Sequence, residues 1–210
     1  MVTRKRILIT AGPTWVAIDQ ARVISNISSG ETGFILASKF KRSGAKVTLL
    51  LGPGYFCGNL KRIKIIRFKY FSQLQNLLKR ELEKNNYNAV IHAAAVADYR
   101  PDKVAKSKID SKRNAWKINL VPNEKLIDSL KKYAGNIFAV GFKFEPSASS
   151  SYLIKEGRAL LKRAGLDLVV ANSNINEKYC AYILDKSAYF GPFFTKEKMS
   201  SCLLKLIGKN

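Results

Sequence analysis

The sequence predicts one α/β domain: a Rossmann-like parallel sheet with helices on both faces, a flap or hairpin insertion, and a C-terminal hairpin. Three observations predict it. Short apolar runs alternate with segments whose apolar residues recur at helical spacing. The run 89–94 is apolar almost throughout, as a strand covered on both faces must be. Finally, 210 residues at 47% hydrophobic content can bury one sizeable core, while a second would be a squeeze, so residues 1–210 are read as a single domain.

Taken in order, Ile7-Leu8-Ile9 is a first strand closed by Ala11-Gly12-Pro13. Gly33, Leu36, Ala37 and Phe40 share a helical face over 30–43, with Ser28 or Ser29 as the cap and Gly44 as the stop. Strands follow at 46–51, ended by Gly52-Pro53-Gly54, and at 63–68. Leu74, Leu77, Leu78 and Leu82 mark a helix after Ser72, and 89–94 is the fourth strand. The rhythm then breaks. Residues 99–121 are polar and lysine-rich, with short alternating pieces such as Trp116-Lys117-Ile118-Asn119-Leu120, and are read as the flap. A helix resumes over 123–133, a fifth strand at 137–142, and a helix through Leu153, Gly157, Leu160, Leu161 and Ala164 that Gly165 stops. A sixth strand at 166–171, a hairpin from 180–184 and 187–194, and a helix through Met199, Cys202, Leu203 and Leu206 complete the chain. No internal repeat is present.

Composition excludes several classes. No run reaches the roughly 18 apolar residues of a membrane span, and the basic N-terminus leads into a strand rather than a signal peptide. A cytoplasmic protein is expected. Cys57, Cys180 and Cys202 are odd in number and far apart, so neither a disulfide frame nor a zinc site is indicated, and no protein metal site is expected. The net charge of +22 is spread from Lys5 to Lys209 without a DNA-reading motif. A basic enzyme for anionic substrates accounts for it as well as nucleic-acid binding does.

In open parallel sheets ligands bind at the carboxyl ends of the strands, where strand order reverses. Three loops at such ends, AGPT, AAAVADYRP and GFKFE, are rich in small residues. A dinucleotide fingerprint is missing: Gly12-Pro13-Thr14 follows the first strand in place of GxGxxG, and no acid closes the second strand. Ser28-Ser29-Gly30 at a helix start is better suited to an anion. Backbone N–H groups and the positive helix end point there, and small side chains admit a phosphate. His92, the one histidine, is read as a neutral structural residue.

The combination AGPT…ID…RVISNISSG…G, AAAVADYRP, K-I and VGF resembles the phosphopantothenate–cysteine ligase family of coenzyme A synthesis, from Ile7 to about Asn172. With its first strand within ten residues of Met1, the chain looks like a stand-alone ligase rather than the half of a fused flavoprotein. The resemblance implies a reaction in which CTP or ATP, with Mg²⁺, activates 4′-phosphopantothenate as an acyl-nucleotide, which the amine of L-cysteine then attacks. It implies a homodimer, and a separate phosphopantothenoylcysteine decarboxylase as a possible partner.

It also implies roles. Asn26 matches the asparagine that handles the acyl-nucleotide, and Arg22 the arginine that holds a carboxylate or phosphate. Ala93, Ala94 and Ala95, with Gly12, line the nucleotide; Asp98 accepts from it; Phe142 packs beside the base. Lys108 stands where the family has a mobile triphosphate lysine, with Lys103, Lys106 and Lys112 beside it. The plain alternatives are a turn asparagine, a surface arginine, packing alanines and a capping aspartate. Two departures stand out. Pro122-Asn123-Glu124-Lys125 replaces an N-P-D segment, leaving Asn123 as the nucleotide contact, and the phosphate lysines of the following helix are Leu160 and Ala164, leaving Lys162 nearby. VGFKFE leans to the eukaryotic pattern, which leaves CTP and ATP both open. The competing functions are an NAD(P)-dependent oxidoreductase and a basic nucleic-acid-binding protein.

Overall fold

The computed structural model describes residues 2, 4–54, 63–112, 114–176 and 178–209; Cys57 lies outside them. The chain runs β1 (Arg6–Ala11), β2 (Trp15–Ala17), β3 (Val23–Ser25), α1 (Glu31–Arg42), β4 (Lys46–Leu51), β5 (Lys64–Arg67), α2 (Phe71–Lys84), β6 (Ala89–His92), β7 (Tyr99–Pro101) and β8 (Leu120–Pro122). A 3₁₀ turn (Leu126–Ser129) leads to α3 (Leu130–Ala134), β9 (Phe138–Phe144), α4 (Ser150–Arg163), β10 (Leu168–Ile175), β11 (Lys178–Leu184), β12 (Tyr189–Phe193) and α5 (Lys196–Lys209).

Eight strands form one sheet in the order β12-β11-β10-β9-β6-β1-β4-β5. The six from β10 to β5 are parallel, and β11 and β12 close one edge antiparallel, as the alternating and continuous apolar runs foretold. Successive side chains leave a strand on opposite faces. Ile7, Ile9, Leu49, Ile91 and Val170 therefore meet α1 and α5 through Leu36, Phe40, Met199 and Leu203. Leu8, Leu50, Val90, Ala139 and Val169 meet α2, α3 and α4 through Leu74, Leu78, Leu130 and Leu160. Chain order reverses between β1 and β6, so the crevice expected of an open sheet lies between their carboxyl ends.

Three elements differ from the sequence expectation. The stretch read as a loop before α1 contains a hairpin: β2 and β3 pair from Trp15↔Ser25 to Ala17↔Val23. Arms of three residues are too short to show a period. In the flap, only 99–101 and 120–122 pair. Trp116 lies 5.4 Å beneath the Arg22 guanidinium rather than within a strand. The helix expected from Asn123 shrinks to the 3₁₀ turn and α3, because the Asn123 N–H and side chain are bonded to Asp98 and Ala97. Cys180 and Cys202 are free thiols, both pushed up in pKa by burial.

Glycines let α1 close on the strands. A Cβ at Gly33 would stand 2.2 Å from the Cβ of Ala11. Alanine gains about 1 kcal/mol over glycine in a helix, but that clash forces α1 off β1. We expect Gly33→Ala to destabilise the protein by about 1–3 kcal/mol net, the usual cost of overpacking, read as a lowered urea midpoint. A midpoint at or above wild type would mean that the α1–β1 approach is slack.

Candidate functional site

The site is built on the loops at the carboxyl ends of β1 and β6. Thr10 and Thr14, both fully buried, tie them together. The Thr10 carbonyl accepts from Ala93 N–H (3.2 Å) and its hydroxyl from Ala94 N–H (3.1 Å). Gly12 carbonyl accepts from Ala95 N–H (3.0 Å), Thr14 N–H donates to Ala95 carbonyl (3.2 Å), and the Thr14 hydroxyl accepts from Ala97 N–H (2.9 Å). Each backbone group so paired avoids the cost of a buried unsatisfied donor or acceptor. The three alanines are thus held rigidly, half-buried, with no bulk to fill the crevice.

Gly12, at φ +80°, turns the chain out of β1. Gly30, at φ +81°, is the residue that caps α1, where a serine was expected; its place for a Cβ is 3.4 Å from the Gly12 nitrogen. The Ser28 and Ser29 hydroxyls instead accept from the N–H groups of Gly30 (3.4 Å) and Glu31 (3.3 Å). The serine–glycine segment therefore packs on the AGPT loop with its polar groups at the helix start. Glu31, in the first turn, is ion-paired with Lys196 of α5. Asn26, exposed, hangs across the crevice and donates from Nδ2 to the Val96 carbonyl at 2.9 Å.

Arg22 is not a free surface arginine. Its Nη1 donates to Asp19 Oδ2 at 2.7 Å, and both Nη1 and Nη2 reach the Ile109 carbonyl of the flap at 3.2 Å. Asp19 is 4% exposed and accepts in addition from the N–H groups of Ala21 (2.7 Å), Arg22 (2.8 Å) and Ile109 (3.1 Å). Burial pulls its pKa up, but the backbone N–H bonds and Arg22 outweigh it and hold the carboxyl below its ordinary value. Lys108, exposed, is next in the chain to the docked Ile109. On the other side of the crevice Asp98 pairs with Lys125. Asn123, 8% exposed, donates from its backbone to Asp98 carbonyl (2.8 Å) and from Nδ2 to Ala97 carbonyl (2.9 Å).

Most of the residues singled out from sequence therefore meet at one end of the sheet. His92 pairs with Gly141, so Phe142 stands level with Ala93. Lys162 does not join them within this chain. It sits on the last turn of α4, five residues before Asp167, whose N–H bonds to Ala139 at the amino end of β9. Asp19, Lys125, Thr10 and Thr14 went unnoticed in the sequence. For Asp19 the signal was its spacing three residues ahead of Arg22 on a short turn; the threonines have none, being ordinary strand-end residues. Among the described residues no three of His, Cys, Asp or Glu come together for a metal, and no helix is long and apolar enough to cross a membrane.

Comparison with known proteins followed the geometry. The family model for the C-terminal domain of DNA/pantothenate metabolism flavoproteins matches residues 2–200. The coenzyme A biosynthesis bifunctional protein CoaBC of Vibrio cholerae is 33% identical over 214 residues, covering 97% of this chain and 52% of that protein. That of Thermococcus kodakarensis is 37% identical over 172 residues, 80% of this chain and 41% of the relative. The chain thus spans about half the length, or less, of these curated relatives. Among solved structures, the C-terminal domain of a CoaBC protein superposes with a TM-score of 0.81 at 26% identity, over 99% of this chain and 96% of that one. The DNA/pantothenate metabolism flavoprotein of Streptococcus pneumoniae gives 0.87 at 24% identity over 98% and 99%, a likeness of fold.

His92, 5% exposed beneath the site, faces the Thr10 hydroxyl at 2.9 Å through Nδ1. Burial pushes its pKa from 6.5 down to about 4, so it is neutral in the fold. A depressed histidine pKa means that its contribution to stability is complete above 6.5 and is lost as pH falls toward 4. We expect urea stability to drop between pH 7 and pH 4 by roughly 3 kcal/mol more in the wild type than in His92→Gln. Equal drops in the two proteins would show that His92 is not the buried neutral group.

Proposed function

The chain belongs to the family of C-terminal domains of DNA/pantothenate metabolism flavoproteins, and from that premise we propose that it is a phosphopantothenate–cysteine ligase of coenzyme A biosynthesis. The observation that carries the reading is the crevice between β1 and β6, with Asn26 suspended over the Val96 carbonyl and Arg22 set beside the flap. A carboxylate does not yield to an amine directly. A nucleoside triphosphate, CTP or ATP, first converts 4′-phosphopantothenate to its acyl-nucleotide with release of pyrophosphate. The amine of L-cysteine then attacks the acyl carbon, and the nucleoside monophosphate leaves.

The residues divide this work. Ala93 to Ala95 leave room for the nucleotide, with Phe142 beside the base and Asp98 accepting from its donors. Asn123 acts on the nucleotide indirectly, by holding the Ala97–Asp98 backbone. Ser28, Ser29 and Gly30 receive the phosphate of the substrate, with N–H groups of the helix start behind them. Arg22 and Lys108 bring charge to the anionic groups, and Asn26 donates an N–H to the oxygen on which charge develops. Positioning and electrostatics supply most of the rate. Asp19 is filled by N–H donors and Asp98 by Lys125, so Mg²⁺ would be held by the triphosphate and water, where it neutralises phosphoryl charge.

An NAD(P)-dependent oxidoreductase is disfavoured by Gly12-Pro13-Thr14 in place of the glycine fingerprint, and nucleic-acid binding rests on charge alone. The enzyme would act in the cytoplasm as a homodimer, its edges near Trp116 covered by a second copy, and pass its product to a decarboxylase. Thermal shift with CTP, ATP, NADPH and a DNA duplex separates the readings, since a ligand specific for the native state raises the melting temperature. Stabilisation by NADPH or the duplex, and by neither triphosphate, would count against the ligase.

Two variants test the roles. Asn26→Asp removes the donor and adds repulsion among anions, so turnover should fall by a factor of about 10² or more. Arg22→Gln should still release pyrophosphate and accumulate acyl-nucleotide, seen by mass spectrometry, while failing to pass the acyl group to cysteine. Full coupled activity in a folded Asn26→Asp protein would leave the RVISNISSG stretch without a catalytic part.

A further inference from the structure

Asp19 lies outside every role assigned above, yet it is the best-satisfied carboxylate near the crevice. It is 4% exposed, and its two oxygens accept four hydrogen bonds. The oxygens divide their labour. Oδ1 takes the N–H groups of Ala21 and Arg22 and closes the turn between β2 and β3. Oδ2 faces the other way and takes Arg22 Nη1 at 2.7 Å and the flap's Ile109 N–H at 3.1 Å. A second strap runs alongside, from Ala105 N–H of the flap to the Ile18 carbonyl at 3.0 Å. Arg22 completes the circuit by donating to the Ile109 carbonyl and lying over Trp116.

We infer that Asp19 is a positioning residue, one carboxylate that sets both the direction of the Arg22 guanidinium and the docking of the flap that carries Lys108. A buried carboxylate stays charged only when fully hydrogen-bonded and paired. The Arg22 contact and the Ile109 contact therefore hold each other: moving the flap leaves an Oδ2 lone pair unmet, and turning Arg22 away leaves the charge uncompensated. Arginine and lysine thereby approach or leave the anionic substrates together. The inference rests on the ligase reading for the reaction it serves, but not for the contacts.

The two-sided geometry supplies a selective variant. Asp19→Asn keeps an oxygen for the Ala21 and Arg22 N–H groups, and asparagine suits such turns, so the hairpin survives. Its amide nitrogen then confronts two donors, Arg22 Nη1 and Ile109 N–H, and both contacts fail. Ile109→Pro removes the flap's donor without touching the carboxylate. In a Trp15→Phe background, Trp116 reports on the flap by fluorescence without any ligand.

We expect Asp19→Asn to shift Trp116 emission to the red and to speed tryptic cleavage within 103–112 at least fivefold. Ile109→Pro should speed cleavage likewise. In the full assay Asp19→Asn should lower turnover 10- to 100-fold, the scale of a misplaced catalytic group, with a smaller change in KM for the triphosphate; Asp19→Glu, which keeps the charge for Arg22, should recover part of it. Wild-type emission and cleavage in Asp19→Asn, or a loosened flap with turnover within twofold of wild type, would overturn the inference. Should Asp19→Asn fail to fold, unchanged cleavage in Ile109→Pro overturns it in its place. Absence of ligase activity in the wild type would sink the ligase reading, whereas the emission and cleavage results, read without substrate, decide the part of Asp19.

Discussion

Two buried threonines, Thr10 and Thr14, join the loops that leave β1 and β6 at the point where strand order reverses. An open parallel sheet parts there, and the loops on either side carry backbone groups that the sheet no longer pairs. Without partners each would cost about 1–3 kcal/mol. With the threonine hydroxyls and the Gly12 and Ala95 carbonyls supplying them, the loops become one rigid rim. Everything else in the crevice is hung from that rim: Asn26 from Val96, Asn123 from Ala97, and Gly30 against Gly12. The rigidity matters chemically, since donors fixed before reaction need no reorganisation during it.

Charge in the site is balanced internally despite the large net charge of the chain. Arg22 is matched by Asp19, Lys125 by Asp98, and Lys196 by Glu31. These pairs differ in strength for a physical reason. The Asp98 and Lys125 side chains are 60% and 48% exposed, and such pairs are worth about 0–1 kcal/mol. A ligand that takes the Asp98 oxygen frees Lys125 at little cost. Asp19 is buried with four donors, so its charge is a permanent part of the architecture. The site thus combines one fixed ionic anchor with exchangeable pairs at its margin.

Small residues serve the site by what they leave out. Gly33 brings α1 against Ala11, and Gly52 and Gly54 bring the loop after β4 against Pro13 and Ser29, where a Cβ would lie 2.3 and 2.5 Å from backbone oxygens. The α1 start is thereby pressed onto the same rim that the threonines hold. Close backbone contact here replaces side-chain packing, and the space that side chains would have filled stays open beside the alanines.

The sequence by itself determined the sheet, its helices and the place of the crevice, because burial on two faces writes a period of two or a continuous apolar run along a strand and 3.6 along a helix. Six parallel strands and a terminal hairpin follow from 7–9, 46–51, 89–94 and their like. Asn26, the three alanines and Asp98 were legible as well, since their motifs are long and continuous in the chain. Only the tertiary structure decided the β2–β3 hairpin, the length of the flap arms, and Gly30 rather than a serine as the cap of α1. It alone set Lys162 at the far end of α4 and joined Asp19 to Ile109, ninety residues away. Hydrogen bonds between distant loops leave no periodicity, because they satisfy single backbone groups rather than bury a repeating face; they become visible only where the chain has already folded.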